Sequence, residues 1–238
     1  PAQMPILEAL MLLANVAAVT KRVSLSTEVL VLPQRQPVLV AKQISTLDTL
    51  SGGRVRLGVG VGWQDSEYEA LAEDFGNRGK RMDEAIDLLR AYWQGGTVGY
   101  QGDHYDSRDM GMEPVSPQGG TLPIWVGGES KAALRRVAQR GDGWMASGLT
   151  DEQALSMKQS ILEQAEIFGR DPASIGMQLM LAPPPRTDED KRFYADLDKI
   201  EERATVVAGM GFEWTAVNAT AVFQAGARSV EAMIEQLG

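Results

Sequence analysis

From Arg54 to Trp63 the chain reads R-V-R-L-G-V-G-V-G-W, with apolar residues in strict alternation. A period of two predicts a strand over Arg54–Gly62. It places Val55, Leu57, Val59 and Val61 on one face and Arg56, Gly58, Gly60 and Gly62 on the other. A strand face built mostly of glycine gives up packing there, and the usual reason is close approach of another backbone or of a flat ligand. Tight helix–sheet packing without a ligand is the competing reading. Gly52-Gly53, just upstream, are expected to supply the positive φ that ends a preceding helix.

Other segments follow one of two periods. Ile6 to Thr20 reads as a helix with Ile6, Leu10, Leu13 and Ala17 on one face, with Pro5 suited to its first turn. Val23 to Val31 alternates and is β-branched, as a strand should be. Helices are predicted over Val38–Leu50, Asp65–Phe75 and Arg81–Gln94, the last with Met82, Ile86, Leu89 and Trp93 in register. Residues 95–121 are rich in glycine and proline with little periodicity, which suggests an insertion or a functional excursion. A strand over Leu122–Val126 ends at Gly127-Gly128, and Ser130 caps a helix Lys131–Arg140. Trp144 to Ala146 is a short strand closed by Ser147-Gly148. Thr150-Asp-Glu-Gln153 is a capping box opening a helix to Phe168. A strand over Ile175–Leu181 follows, ended by prolines 183–185. A long helix from Thr187 should then put Phe193, Leu197, Ile200, Ala204 and Val207 on one side. A last strand spans Glu213–Asn218, and Ser229 opens a final helix to Leu237. Six strands, each followed by a helix signal, give an α/β protein with a parallel sheet. A doubly wound sheet and an eight-stranded barrel are both compatible with that count.

Composition narrows the partners. The chain has 238 residues, 44% hydrophobic and 23% charged, with net charge −9. That suits one sizeable globular domain over 1–238 and argues against nucleic acid or an anionic membrane as partner. Cysteine is absent, so disulfides, thiolate nucleophiles and Cys-based metal sites are excluded. The apolar run Ala9–Val19 is broken by Asn15, is too short to span a bilayer, and has no basic stretch ahead of it. A cytoplasmic protein is expected.

Parallel sheets carry their sites at the carboxyl ends of strands. Those ends fall at Thr27–Val31, Gly60–Gln64, Val126–Ser130, Ala146–Leu149 and Asn218. They are rich in glycine and hydroxyls and poor in acids, bases and histidine, a composition suited to holding a cofactor that carries the electron chemistry. Gly127-Gly128-Glu129-Ser130 is the best anion candidate, since a glycine pair before a helix start exposes backbone N–H groups. Ser147-Gly148 could reach the same anion, while Glu129 would repel it unless turned outward. Ordinary capping chemistry is the alternative. Gly58-x-Gly60-x-Gly62 lacks the spacing of a dinucleotide fingerprint. His104, the one histidine, lies on the excursion and reads as a surface residue. No metal-ligand cluster or nucleophile–base pair can be read.

Several stretches resemble the bacterial luciferase-like flavin monooxygenase family, in particular its deazaflavin-dependent (coenzyme F420) oxidoreductases. They are Leu25-Ser-Thr-Glu-Val-Leu-Val-Leu-Pro33, Ala41-Lys-Gln43 with Leu47-Asp48, Leu50-Ser-Gly-Gly-Arg54, Leu57-Gly-Val-Gly-Val-Gly-Trp63, Pro123-Ile-Trp-Val-Gly-Gly128 and Gly141-Asp-Gly-Trp144. The resemblance implies a TIM-type (β/α)8 barrel, a homodimer, coenzyme F420 or FMN as cofactor, and oxidation–reduction or monooxygenation of a small organic substrate. It implies that Glu28 and Val29 form a bulge supporting the ring, that Gly62, Trp63 and Ser66 flank it, and that Gly127, Gly128, Ser147 and Gly148 hold the phosphate. A Gly128→Val substitution is then expected to weaken binding. Glu28 departs from the small residue usual there, which leaves ring support by its backbone alone. The family's first two strands and first helix have no counterpart ahead of Ile6–Thr20, and no residue matches the catalytic acid or base. The expectation is a barrel lacking those elements, filled by an absent upstream segment, that binds cofactor weakly and turns over slowly. A non-catalytic flavin-binding protein of the same fold is the alternative.

Overall fold

The computed structural model describes residues 7–182, 193–194, 196–218, 229 and 231–232. The chain forms two compact units. The first takes the described residues up to Gly127 together with Arg140–Asp142, and the second takes Gly128–Gln139 and the described residues from Gly143 onward.

In the first unit the order is α1 (Ala9–Val19), β1 (Leu25–Ser26), β2 (Leu30–Val31), α2 (Pro37–Ser51), β3 (Val55–Gly60), α3 (Asp65–Ala70), α4 (Arg78–Trp93), β4 (Val98–Gln101), β5 (Asp106–Met110) and β6 (Ile124–Gly127). β3 is the centre. β1 pairs with its first half (Leu25↔Val55), β2 with its second half (Leu30↔Val59), and β6 lies along its other side (Leu57↔Ile124), all parallel. The continuous strand expected over Val23–Val31 is therefore two short strands with a break at Thr27–Val29.

α2 ends as its glycines require: Gly52 has φ +73° and Gly53 has φ +81°. Two residues of the Leu47–Arg54 stretch tie the unit together. The buried Asp48 carboxylate accepts from Val55 N (3.1 Å), Ser116 Oγ (2.6 Å) and Gln118 Nε2 (2.9 Å). The Arg54 guanidinium donates to the carbonyls of Ala17 (3.2 Å) and Thr20 (3.1 Å) at the end of α1, and of Val23 (2.7 Å). Met82, Ile86, Leu89 and Trp93 of α4 are fully buried, as their spacing predicts. Trp93 Nε1 reaches Ala41 O at 3.1 Å and fastens α4 to α2.

The 95–121 excursion holds an antiparallel hairpin, β4–β5, with Tyr100 opposite Ser107. Its second strand is Asp-Ser-Arg-Asp-Met, which has neither alternation nor β-branching, so pattern alone passes over it. Glu84 of α4 pins the turn by accepting from His104 N (3.0 Å) and Tyr105 N (3.3 Å). His104 is half-buried rather than on the surface, its ring 4.0 Å from Glu84.

In the second unit α5 (Lys131–Arg140) leads to β7 (Gly143–Ala146), α6 (Asp151–Ile167), β8 (Gly176–Met180), α7 (Leu197–Gly209) and β9 (Trp214–Ala216). β7 pairs with β8 (Trp144↔Met177) and β8 with β9 (Leu179↔Thr215), again parallel. The capping box at α6 forms in both directions, Gln153 N to Thr150 Oγ1 at 3.3 Å and Thr150 N to Gln153 Oε1 at 3.0 Å. Thr187 and Asp190 lie outside the described residues, as does most of the final helix; the described helix begins at Leu197, capped by Asp196. Its inward side is narrower than the periodicity suggests, because Val207 is fully buried but Leu197 is 52% exposed. Arg203 crosses from α7 to the first turn of α6, bonding Asp151 at 2.6 and 2.8 Å and the Leu181 carbonyl at 3.1 Å.

Candidate functional site

The break between β1 and β2 is the most unusual feature at the strand ends of the first unit. There the Thr27 side chain stands in for the ladder: its hydroxyl donates to Gly58 O (2.6 Å) and accepts from Gly58 N (3.1 Å). The Glu28–Val29 peptide, which is cis, bulges out beyond it. Val29 then lies against two glycines. A Cβ on Gly60 would come 2.6 Å from Val29 Cγ2, and one on Gly127 would come 3.0 Å from Val29 Cγ1. The close approach expected of the glycine face is thus made by a side chain of the same unit. Val29 keeps 36% of its surface exposed, so it offers an apolar seat, fixed from below and open above.

Gly62 follows with φ +67°, and a Cβ there would lie 2.8 Å from Val31 Cγ1. Trp63 is 84% exposed. Ser66 is in the first turn of α3 and exposed, and Gln64 Nε2 donates to its hydroxyl at 3.1 Å. Tyr68, not singled out from sequence, anchors this stretch: its buried hydroxyl donates to Val61 O at 2.7 Å, and its ring meets Phe75 edge-on at 5.3 Å. Burial pushes its phenol up to about 12, against the pull of Arg78 and Arg81.

Earlier on β3, on the face that alternation gives to Gly58 and Gly60, is Arg56. Its Nε donates to Ser26 Oγ at 3.2 Å and its guanidinium stacks 4.3 Å from the Trp125 ring centroid. Burial pulls its pKa down, while the carboxylate of Glu28 pushes it up. Glu28 itself is exposed.

In the second unit, Gly128 has φ +118° and a Cβ on it would approach Ala133 Cβ to 3.2 Å. The buried Trp144 donates from Nε1 to Gly128 O at 2.9 Å, which ties β7 to the glycine turn. Ser130 Oγ accepts from Ala133 N at 3.2 Å as the cap of α5. The first N–H groups of a helix have no partner within it and attract an anion. Glu129, Ser147 and Gly148 are exposed. Gly148 has φ +66° and open space where a Cβ would be. Valine at Gly128 would be strained by its own backbone, so Ser147 is the cleaner probe of anion binding.

The strand ends thus bring Val29 together with Gly127 in the first unit, and Gly128 with β7 in the second. A hollow of about 470 Å³ lies along the β4–β5 hairpin, lined by Tyr100, Gln101, Arg108 and Asp109 among others, and includes none of these residues. Among the described residues no three acidic or histidine side chains are grouped to hold a metal ion, and no helix is long and apolar enough to cross a membrane.

Arg56 and Tyr68 were not predicted as site residues, and Thr27 and Gly60 were marked only as parts of strand ends. The partners that give Thr27 and Arg56 their roles, Gly58 and Trp125, are distant in sequence.

Comparison with known proteins gives the family and the fold. An uncharacterised protein of Mycobacterium tuberculosis is 44% identical over 144 residues, 60% of this chain and 49% of its own length. The F420-dependent glucose-6-phosphate dehydrogenase of Nocardia farcinica is 30% identical over 203 residues, 80% of this chain and 60% of its own length. The chain thus spans about half to three-fifths of these relatives. Among solved structures, the coenzyme F420-dependent tetrahydromethanopterin reductase of Methanopyrus kandleri superposes with TM-score 0.69 at 21% identity, covering 92% of this chain and 64% of that one. A riboflavin lyase holding modified FMN gives TM-score 0.70 at 20% identity, covering 84% and 50%. These likenesses give the fold as that of luciferase-like TIM-barrel structures, in keeping with the barrel that the resemblance implies. The sequence model of luciferase-like monooxygenases matches residues 2–227, and the chain belongs to that family.

Proposed function

We propose that this protein is an oxidoreductase or monooxygenase that uses FMN or coenzyme F420 on a small organic substrate. The observation that carries the reading is the Val29 seat. A flat ring needs an apolar surface that neither yields nor fills with a side chain, and Val29 on Gly60 and Gly127 has that character. The residues fit the cofactor. In the first unit Val29 and the Glu28–Val29 backbone would support the ring, with Gly62, Trp63 and Ser66 beside it. Gly127 and Gly128, the N–H groups at the start of α5, Ser147 and Gly148 would hold the phosphate, with Glu129 turned to solvent. The cofactor supplies the hydride chemistry, and the chain supplies binding and orientation. The relatives include an F420-dependent enzyme and a structure with modified FMN, which supports either cofactor. By the same reasoning the protein acts in the cytoplasm and as a homodimer, with Met11, Val19, Leu39 and Leu50 among the exposed apolar residues of α1 and α2 available for association.

A second reading, cofactor binding without turnover, is favoured by the scarcity of acid–base groups at these strand ends. Titration of the purified protein with FMN and with F420, followed by assay of reduced-cofactor oxidation, separates the two. Saturable binding with turnover supports the first reading, saturable binding without turnover the second, and binding of neither cofactor rejects both.

A further inference from the structure

Where a strand breaks its ladder inside a sheet, the backbone groups of its neighbour must be paired in some other way. Ser26 pairs with Arg56 and Leu30 with Val59, so four steps along the broken strand match three along β3. One residue is extra, and the chain must bulge to hold it. Successive residues of β3 point their backbone groups to opposite sides. Arg54 O is taken from the β1 side by Leu25 N at 2.8 Å, while Leu57 N turns the other way, to Pro123 O at 2.9 Å. Gly58, like Arg54, therefore presents its N–H and C=O to the broken strand, and it is buried. The Thr27 hydroxyl satisfies both groups, donating to Gly58 O at 2.6 Å and accepting from Gly58 N at 3.1 Å. A hydroxyl can do both through one atom, and a valine of the same shape can do neither. Thr27 is 5% exposed, so solvent has little access to either bond.

The geometry points to Thr27 as the positioning residue of the cofactor ring: its hydroxyl sets the height at which Val29 stands over Gly60 and Gly127. The inference rests on the cofactor reading above. With Gly58 satisfied by a side chain, the Glu28–Val29 backbone is released from the ladder and stands outside it. Val29 is two residues on from Thr27. Its methyls lie where Cβ atoms on Gly60 and Gly127 would come within 2.6 and 3.0 Å of them. The bulge is thus fixed at one end by Thr27 on Gly58, and at the other by Val29 on the two glycines. Without the hydroxyl, the N–H and C=O of Gly58 are left buried and unpaired, which is costly. The backbone of the bulge relieves that cost by moving in to pair with them. Such a movement shifts Val29, and contact between packed surfaces is lost over fractions of an ångström. Thr27 therefore acts on the ring through Val29.

The test is equilibrium titration of Thr27 variants with FMN and with F420, together with the absorption band of the bound ring, which reports its surroundings. Thr27→Val should bind about tenfold more weakly in its folded form, with the band shifted. Thr27→Ser keeps the hydroxyl and should bind within about twofold of wild type, with the band in place. If Thr27→Val does not fold, Thr27→Cys carries the test, because its thiol bonds only weakly and should weaken binding about fivefold. A merely structural role would lower the urea midpoint of Thr27→Val but leave the affinity and band of the folded protein unchanged. That result would overturn the assignment while leaving the cofactor reading intact. So would Thr27→Ser binding as weakly as Thr27→Val, or, where Thr27→Val does not fold, Thr27→Cys binding like wild type. Wild-type protein that binds neither cofactor would overturn both.

Discussion

Gly60 closes β3 and Gly148 lies just past β7, and from sequence both belong to glycine-rich strand ends. Their surroundings differ. A Cβ on Gly60 would come 2.6 Å from Val29, whereas one on Gly148 would meet nothing within 4 Å. Gly60 has an ordinary backbone and is glycine because a neighbour occupies its side-chain space. Gly148, at φ +66°, is glycine because its backbone turns left-handed in the open. The contrast separates the two strand ends by what they offer: the first a filled, rigid apolar surface, the second exposed backbone. A ring needs the one and a phosphate the other.

The comparison can be broken by substitution. Gly60→Ala should be the most damaging of the simple changes, because the new methyl must push Val29 off its place. Overpacking of this kind costs about 1–3 kcal/mol, and urea unfolding should register it together with a loss of about tenfold or more in cofactor affinity. Gly148→Ala should cost about 1–2 kcal/mol through backbone strain alone, with no steric clash to relieve. Equal losses of stability and of cofactor affinity in Gly60→Ala and Gly148→Ala would remove the distinction.

Tyr68 sharpens the account of the first unit. Tyr68→Phe removes the hydrogen bond to Val61 O and should lower stability by about 1 kcal/mol. The folded pKa of Tyr68 is raised, to about 12. Its contribution is therefore full below the ordinary tyrosine value near 10 and is lost as pH rises from there through 12. Melting temperature should fall across that window in the wild type and less steeply in the variant.

The smallest effect is expected in the second unit. The hydrogen bond from Arg203 holds the Asp151 carboxylate below its usual value, with burial opposing. A depressed carboxylate stabilises above its unfolded pKa and ceases to do so as pH falls through the folded one. The benefit of Asp151 over Asn should thus be about 0.5 kcal/mol at neutral pH, the size of an exposed pair, and should begin to decline as pH falls below about 4. Paired denaturation curves at pH 7 and pH 3 check both parts.

These features were unequally legible in the sequence. The buried face of α4, the glycine stop of α2 and the Thr150 capping box are local patterns, each complete within a few turns of chain, and each forms as written. The split of the first strand is not local. Thr27 breaks the ladder by bonding Gly58, 31 residues on, and nothing in Leu25-Ser-Thr-Glu-Val-Leu-Val signals that partner. Only the family resemblance marked Glu28 and Val29 as a bulge. The β4–β5 hairpin was missed because its second strand is polar and is held by Glu84 from a helix rather than by its own alternation. The glycine face of β3 was read as a place of close approach, but the approaching group is Val29, and pairing it with Gly60 and Gly127 needs the sheet register.

The central claim is that Val29, held on Gly60 and Gly127, carries the cofactor ring. Fluorescence titration of wild-type protein and Val29→Ala with FMN and with F420 tests it most directly. The account predicts saturable binding of at least one cofactor by the wild type, weakened about tenfold in Val29→Ala with the fold retained. Equal affinity in the two proteins, or no saturable binding by the wild type, would contradict it.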